Sequence, residues 1–291
     1  MSTLIPSKED ENLKISPYRK NEVPYYANEF VVYEEYEFVN GEEDAWGNIE
    51  VNVTAKNTDK YKVYTLHTYP EHIYLQISEI VIDEETVRLN NEQNRFEEIK
   101  VHRIRSLEAQ KSFLKFTKRF GLLGISEREY FFKRINEEAF TSGHRNLVLT
   151  DIKKELVNQK LINQIYRMKI AVNYLKNWMD DKITEEQKED LMNIVNDELP
   201  TKQDRLQLKN GEFYPSVLFS SLMDLAWWQL HEALLKKTTY RRCKNERCGN
   251  IFAVDHGNRD YCPPYPNKDR SNCEHNHNRR LNYMRNKPTR S

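Results

Sequence analysis

The chain has 291 residues, of which 31% are charged and 38% are hydrophobic, and its formal net charge is zero. This length suits two ordinary domains or one larger core with an appended module, and the composition is typical of a globular protein. The most apolar stretch, residues 217–235, contains Asp224, His231 and Glu232, whereas a membrane span needs about 20 mostly apolar residues. The sequence therefore predicts no transmembrane segment. Because the first ten residues contain no apolar stretch like a secretory signal, we expect a cytoplasmic protein.

The zero net charge hides a difference between the two ends of the chain. Residues 240–291 contain twelve Lys or Arg against five Asp or Glu, a net charge of +7, so the preceding residues carry −7. Four thiolates with one Zn²⁺ would add about −2 and leave the C-terminal part at about +5. A local positive charge of this size attracts phosphate groups.

The N-terminal third is predicted to be β-rich. Residues 1–28 contain three prolines and many charges, and we expect an extended lead-in there. In residues 29–105, apolar residues alternate with polar neighbours in two segments, at Ile49, Val51 and Val53 and at Ile73, Leu75 and Ile77. This alternation predicts strands of a small antiparallel sheet. Residues 21–55 contain nine acidic residues and no Lys or Arg, which is typical of a solvated sheet face, with an acidic binding surface as the alternative.

Residues 106–238 are predicted to form a helical region in which polar residues mark the helix ends. Ser106 can cap a helix that ends at Gly121. Residues 126–129 and 184–187 have the Ser/Thr-x-x-Glu/Gln spacing of a capping box, so each is predicted to begin a helix.

The longest predicted helix has an apolar stripe. Its members are spaced four and three residues apart, at Val157, Leu161, Ile165, Met168, Val172, Leu175 and Met179. Because the pattern lasts only about three heptads, it favours a core inside the chain. A homo-oligomer interface through residues 157–179 is the alternative.

A last long helix is predicted over residues 216–236, with Leu218 among its inward-facing residues and with Trp227 and Trp228 side by side. Consecutive helical positions point about 100° apart. One tryptophan is therefore expected in the core and the other against the sheet or the C-terminal module, with a ligand platform as the disfavoured alternative.

All four cysteines of the chain lie in residues 239–291, which we call the C-terminal module: Cys243, Cys248, Cys262 and Cys273. The glycine after Cys248 can take the positive φ that folds backbone around a metal. Four thiolates at this spacing predict a structural, tetrahedral Zn²⁺ site that lets a short segment fold. Disulfides are the disfavoured alternative, because they need an oxidising compartment.

The ten residues between Cys262 and Cys273 exceed the usual spacing of a zinc knuckle. His256, His275 or His277 could therefore replace one cysteine. Four cysteines are favoured, because Ser271 or Asn272 can cap a helix and place Cys273 in its first turn, where an anionic sulfur is stabilised.

A short basic helix is predicted from Cys273 to Asn286, stopped near Pro288. The candidate nucleic-acid-binding residues lie around the first cysteine pair and along this helix: Arg241, Arg242, Lys244, Arg247, Arg279, Arg280, Arg285 and Lys287. Aromatic residues are interleaved with them, as in proteins that stack on bases. The alternative is that these charges only keep a small exposed module in solution.

The module resembles the bacterial CGNR-type zinc fingers. The resemblance rests on Tyr240 to Cys243, on Cys248-Gly249-Asn250-Ile251-Phe252, on Tyr261-Cys262 and on Cys273 followed by Arg279-Arg280. It covers about fifty residues and the leucine-rich helix before them, and it implies a zinc fold and a nucleic-acid-binding, stress-linked transcription regulator. Here, unlike in the family pattern, the Cys-Gly-Asn string belongs to the first cysteine pair.

Enzyme signatures are absent from the sequence. It contains no Walker-type phosphate loop, no dinucleotide glycine fingerprint, no His-Glu-x-x-His and no Gly-x-Ser-x-Gly. Four thiol ligands would leave no water position on zinc, so a catalytic metal is not expected. Arg95 and His102 weakly resemble a helical ribonuclease pattern, but a surface pair is the favoured interpretation.

These patterns predict an α+β protein with a small antiparallel β-rich N-terminal region, a helical bundle in the middle and a C-terminal zinc-ribbon or treble-clef-like module. The expected function is that of a regulatory protein that binds DNA or RNA. The alternatives are a protein-interaction module without nucleic acid and an effector of a bacterial defence or toxin system.

Overall fold

The computed structural model describes residues 25–26, 28–43, 49–65, 72–90, 96–125, 148–200, 202–209, 212–254, 259–263 and 270–285. Strands and helices are mixed along these ranges, which confirms the predicted α+β class. The strands are β1 (Tyr25–Tyr26), β2 (Asn28–Tyr33), β3 (Tyr36–Glu43), β4 (Ile49–Ala55), β5 (Tyr61–Thr65), β6 (Asp83–Asn90), β7 (Phe96–Arg103), β8 (Val148–Thr150), β9 (Lys154–Leu156), β10 (Lys202–Lys209), β11 (Glu212–Phe219), β12 (Tyr240–Arg242) and β13 (Ile251–Ala253). The helices are α1 (Ile73–Ile77), α2 (Leu107–Phe120), α3 (Gln159–Met179), α4 (Glu185–Asp197), α5 (Leu222–Leu235) and α6 (Asn272–Arg285).

The strands form small sheets that are mostly antiparallel. β3, β4 and β9 make one antiparallel sheet, and β6 pairs with β7. β2 lies between antiparallel β5 and parallel β8, and β1 runs parallel to β11. The segments before β1 lie outside the described residues, and with them almost all of the predicted lead-in. The N-terminal strands are thus tied to later parts of the chain.

The strand predicted at residues 73–77 is wrong, because these residues form helix α1. The segment is buried on all sides, at Ile73, Tyr74, Leu75 and Ile77. The alternation of apolar residues therefore does not distinguish a buried face of a strand from a solvent-exposed one. The Gln229 side chain accepts a hydrogen bond of 2.8 Å from the first helical N–H, that of Ile73. Tertiary packing against α3 and α5 therefore selects the helix.

Three of the predicted helix ends, at Ser106, Gly121 and Thr184, are confirmed. The Ser106 hydroxyl accepts a hydrogen bond from the Ala109 N–H at the start of α2. Gly121 ends this helix at a φ of 89°, where a Cβ would also lie 2.8 Å from the Val31 carbonyl oxygen. Thr184 forms a complete capping box at the start of α4. The box predicted at residues 126–129 lies outside the described ranges.

The apolar stripe of α3 lies in the core of the chain itself. Asn158 caps this helix, and the stripe residues Leu161, Ile165, Met168, Val172 and Leu175 are buried. The favoured interpretation, a core inside the chain, therefore describes this helix.

The middle region is less helical than predicted. Residues 202–219 form the antiparallel hairpin of β10 and β11, and the last long helix begins at Leu222 instead of at residue 216. Leu218 is buried as predicted, but it lies on strand β11. The helix starts late because the Ser221 hydroxyl, not that of Ser216, accepts the capping hydrogen bond from the Asp224 N–H.

One continuous hydrophobic core joins the N-terminal sheets, the helices and the C-terminal module. Tyr240, Ile251 and Ala253 of the module belong to the same buried cluster as α3 and α5. Trp227 is buried, whereas half-buried Trp228 packs on Phe219 of β11, so the second tryptophan lies against the sheet. No helix in the described part of the chain combines the length and apolarity needed to cross a membrane.

Candidate metal centre

The first cysteine pair is positioned by a two-stranded hairpin. β12 and β13 pair with Arg242 opposite Ile251, and the Cys243 N–H donates to the Asn250 carbonyl oxygen at 2.8 Å. A tight turn follows, in which the Cys248 N–H donates to the Asn245 carbonyl oxygen at 2.8 Å. The next residue, Gly249, has a φ of 66°, and a Cβ there would meet nothing within 4 Å. Backbone conformation, and not space, is therefore what this position requires.

Cys262 and Cys273 are positioned beside the first cysteine pair by two different sets of contacts. The Lys244 N–H donates to the Asp260 carbonyl oxygen at 2.8 Å, which brings the segment before Cys262 beside the hairpin. The Ser271 hydroxyl accepts from the Glu274 N–H at 3.0 Å and so caps α6. Cys273 lies in the first turn of that helix, as predicted.

The four sulfur atoms lie together in one cluster. All of them are within 4.8 Å of one another, and the Sγ atoms of Cys248 and Cys262 are 3.5 Å apart. A tetrahedral site with Zn–S bonds of about 2.3 Å has S···S edges of about 3.8 Å. A disulfide would need about 2.05 Å. The donor set therefore fits a tetrahedral metal ion with soft ligands.

No histidine joins this cluster within the residues that the structure describes. His275 is exposed, and the ring of His277 packs against Tyr261 at 5.5 Å between centroids. His256 lies outside the described ranges. The two predicted ligand sets were four cysteines, and three cysteines with one histidine. In the described residues, the four cysteines are the ones that lie together.

The electrostatics of the cluster also favour a cation. Burial and the neighbouring thiol of Cys248 raise the pKa of Cys273 to about 12, and burial raises the pKa of Cys262 as well. Burial opposes ionisation of Cys243 too, but hydrogen bonds from the Cys262 and Asn245 backbone outweigh it and lower the pKa of this thiol. Four thiolates this close repel one another, and a divalent ion removes the repulsion. The cluster is therefore chemically suited to hold a metal.

The C-terminal module is docked on the described residues that precede it, from residue 25 to residue 238, which we call the body. The hydroxyl groups of Tyr74 in α1 and Tyr240 in β12 are 2.5 Å apart. An ion pair of 2.7 Å joins Arg242 to Asp180 at the end of α3. The module therefore has a fixed position relative to α1 and α3.

Ion pairs engage several of the predicted nucleic-acid-binding residues. Besides Arg242, the Arg280 guanidinium pairs with Glu246 at 2.9 Å. Lys244 lies 3.3 Å and Arg241 3.8 Å from the Asp260 carboxylate. The charges of these four residues are at least partly compensated.

The remaining predicted residues differ in their surroundings. Arg247, Arg279 and Arg285 have no ion-pair partner in the described ranges, and Lys287 lies outside them. Arg247 and Arg279 line a cleft of about 810 Å³ between the module and α2, together with Lys115 and Arg119. We call it the α2–α6 cleft.

The two basic residues of α2 that line this cleft were not among the predicted site residues. Lys115 and Arg119 are separated from the cysteines by more than 120 positions, and an amphipathic helix commonly has basic residues on its outer face. No sequence signal singles them out, because only the docking of the module brings them to the cleft.

The ribonuclease-like pair is not supported. His102 lies on strand β7, where its ring stacks on Tyr166 with centroids 3.7 Å apart, and Arg95 lies outside the described residues. The ring of His231 stacks on Trp228, with centroids 5.4 Å apart. These histidines therefore have packing roles.

Comparisons with protein-family models, with curated proteins and with solved structures found no match to this chain. Its function is therefore argued from the cysteine cluster and the surface around it.

Proposed function

We propose that the protein is a nucleic-acid-binding regulatory protein whose C-terminal module is built around a structural Zn²⁺ ion. Cys243, Cys248, Cys262 and Cys273 would hold the ion, which fixes the hairpin and α6 against each other. Because all four positions are taken by thiolates, the ion has a structural role and none in catalysis. The resemblance of the module to CGNR-type zinc fingers agrees with this proposal.

The observation that carries the proposal is the pair Arg247 and Arg279. Both side chains line the α2–α6 cleft, and neither has an ion-pair partner in the described part of the chain. Arginines without a carboxylate partner that face one recess are suited to phosphate oxygens, which they can bind through two parallel hydrogen bonds. With four thiolates and one Zn²⁺, residues 240–291 would still carry a net charge of about +5, which attracts a polyanion to the same region.

A mobility-shift series tests the proposal. The zinc-loaded protein should form a saturable complex with short DNA or RNA. For each tenfold rise in salt concentration, its binding constant should fall by about 0.7 to 0.9 log units per phosphate contact, which defines the salt slope. Arg247→Ala with Arg279→Ala should weaken the complex and reduce that slope by about 1.4 to 1.8.

Matched controls make this series decisive. Lys153→Ala with Lys154→Ala removes two exposed lysines at the start of β9, outside the module, and should leave the salt slope unchanged. Arg241→Ala with Lys244→Ala should have a smaller effect than the arginine pair, because Asp260 already compensates their charge. An unchanged complex after removal of Arg247 and Arg279 would contradict the placement.

The docking of the module supports a second candidate function. Tyr240, Ile251 and Ala253 are part of the body core, so the module also serves as a structural element of the protein. If it only presents a surface to a protein partner, no DNA or RNA will form a saturable complex at any salt concentration.

A further inference from the structure

The α2–α6 cleft has one wall from the body and one from the C-terminal module. On the body side, α1 contributes Gln76 and α2 contributes Lys115 and Arg119. On the module side, the 243–250 turn contributes Arg247 and α6 contributes Arg279. The volume of about 810 Å³ falls within the range of about 300–1,000 Å³ for sites of small ligands.

The cleft is strongly basic. Five of its lining residues are cationic, namely Lys115, Arg119, Arg247, Arg279 and Arg280. Its acidic lining residue, Glu79, lies 3.7 Å from Lys176, and Arg280 is matched by Glu246. Lys115 is exposed and has no ion-pair partner in the described ranges. Positive charge therefore faces the recess from two sides.

Arg119 is held in place by the body. Its Nη1 donates to the Gln76 side-chain oxygen at 3.3 Å, and its guanidinium lies 5.0 Å from the centroid of the Phe120 ring. A guanidinium that is already ordered loses little side-chain freedom when it binds an anion. The body wall thus offers a positioned cation opposite the module.

The cleft also offers an exposed aromatic ring. Tyr283 on α6 lines it and is 68% exposed, whereas Phe116 on the opposite wall is only 5% exposed. No residue of α6 is buried, so this helix stands beside the body instead of packing into it. An exposed tyrosine beside arginines is the arrangement that proteins use to stack on unpaired bases.

We propose that the α2–α6 cleft binds an unpaired nucleotide of a single-stranded nucleic acid, with its phosphate between the Lys115–Arg119 wall and the Arg247–Arg279 wall and its base on Tyr283. This inference rests on the proposed function and assigns its ligand class and its body residues. A duplex keeps its bases paired and stacked, so it offers no free base face to Tyr283. Gln76 and Asn276, which also line the cleft, carry amide groups suited to base edges.

Fluorescence anisotropy with the full-length, zinc-loaded protein tests the inference. The probes are labelled single-stranded 8-mers of mixed sequence, as DNA and as RNA, with a blunt duplex of the same sequence and unlabelled mononucleotides as competitors. We expect Lys115→Glu and Arg279→Glu each to weaken single-strand binding about tenfold, since a like charge then faces the phosphate. Tyr283→Ala should weaken it by about 5- to 160-fold, the value of one stacked base.

Lys118→Glu is the matched control. It makes the same charge change on an exposed lysine of the same helix, but Lys118 does not line the cleft. We expect it to weaken binding less than Lys115→Glu does, because its charge reaches the phosphate only through solvent that screens it.

The outcomes separate the two proposals. If Lys115→Glu binds like Lys118→Glu while Arg279→Glu loses affinity, the body wall takes no part and the cleft assignment is overturned, although nucleic-acid binding stands. If mononucleotides compete as well as the 8-mer, or the duplex binds as tightly, the single-strand assignment is overturned. If no oligonucleotide binds, the proposed function fails as well.

Discussion

At the scale of single residues, Glu155 shows how the chain places a carboxylate inside its core. This side chain on β9 is fully buried and accepts hydrogen bonds from the Leu123 N–H at 2.9 Å and the Ile125 N–H at 3.0 Å. It thereby fixes the loop that follows α2. Burial raises the pKa of Glu155 to about 7, although the backbone hydrogen bonds oppose the shift.

This pKa predicts how stability depends on pH. Because the folded pKa lies above the usual value of 4.5, the folded protein holds the proton more tightly than the unfolded chain does. The contribution of Glu155 is largest below pH 4.5 and falls, by a total of about 3 kcal/mol, as the pH rises through 7. Urea unfolding at pH 5 and pH 8 measures this fall.

Glu155→Gln provides the comparison. Glutamine cannot accept a hydrogen bond at both positions, so the variant should be less stable at pH 5 by about 1–3 kcal/mol. It does not titrate, so it should lose less stability than the wild type between pH 5 and 8. If both proteins show the same pH dependence, Glu155 is not the titrating group.

At the scale of elements, the cap of α6 couples local structure to the metal centre. Buried Ser271 accepts the Glu274 N–H, and this fixes the helix turn that contains Cys273. A serine cap contributes about 1 kcal/mol to helix stability. The orientation of one sulfur ligand therefore depends on a hydroxyl two residues before it.

Ser271→Ala should weaken metal binding. Loss of about 1 kcal/mol corresponds to about fivefold in the apparent metal affinity, which competition with a colorimetric chelator measures. Thr184→Ala is the control, because it removes a cap of the same kind from α4, which carries no cysteine. Equal metal affinities in both variants would show that the cap of α6 does not position Cys273.

The sequence correctly predicted the helix ends that depend on a few adjacent residues. Ser106, Gly121 and Thr184 act where the sequence placed them, because caps and positive-φ positions depend on a few adjacent residues. The α1 segment and the start of α5 were predicted wrongly. There, burial on every side and the pairing of β11 with β10 decide the structure, and neither is visible in a short window.

At the scale of the whole molecule, the C-terminal module and the body share one core. Tyr240, Ile251 and Ala253 pack in the same buried cluster as the long helices, and Arg242 is paired with Asp180. The four cysteines could be recognised in the sequence as one site. The α2–α6 cleft could not, since Lys115 and Arg119 meet Arg247 and Arg279 only through this docking.

The shared core predicts that metal removal weakens the entire protein. Chelation should make the C-terminal module sensitive to protease. It should also lower the unfolding temperature of the body, because residues of the β12–β13 hairpin would leave the common core. Circular dichroism at a helical wavelength, with and without chelator, measures the second effect. If chelation leaves the unfolding temperature of the body unchanged and only the C-terminal module is cleaved, the module is structurally independent of the body.

The most direct test is the metal content of the purified full-length protein. Elemental analysis should find one zinc ion per chain, and Cys243→Ser should lose it, because the four sulfur atoms within 4.8 Å of one another form the ligand set. Replacement by Co²⁺ should give the absorption of a tetrahedral four-thiolate site. Protein that is folded and free of any transition metal, before and after incubation with Zn²⁺, would contradict the account.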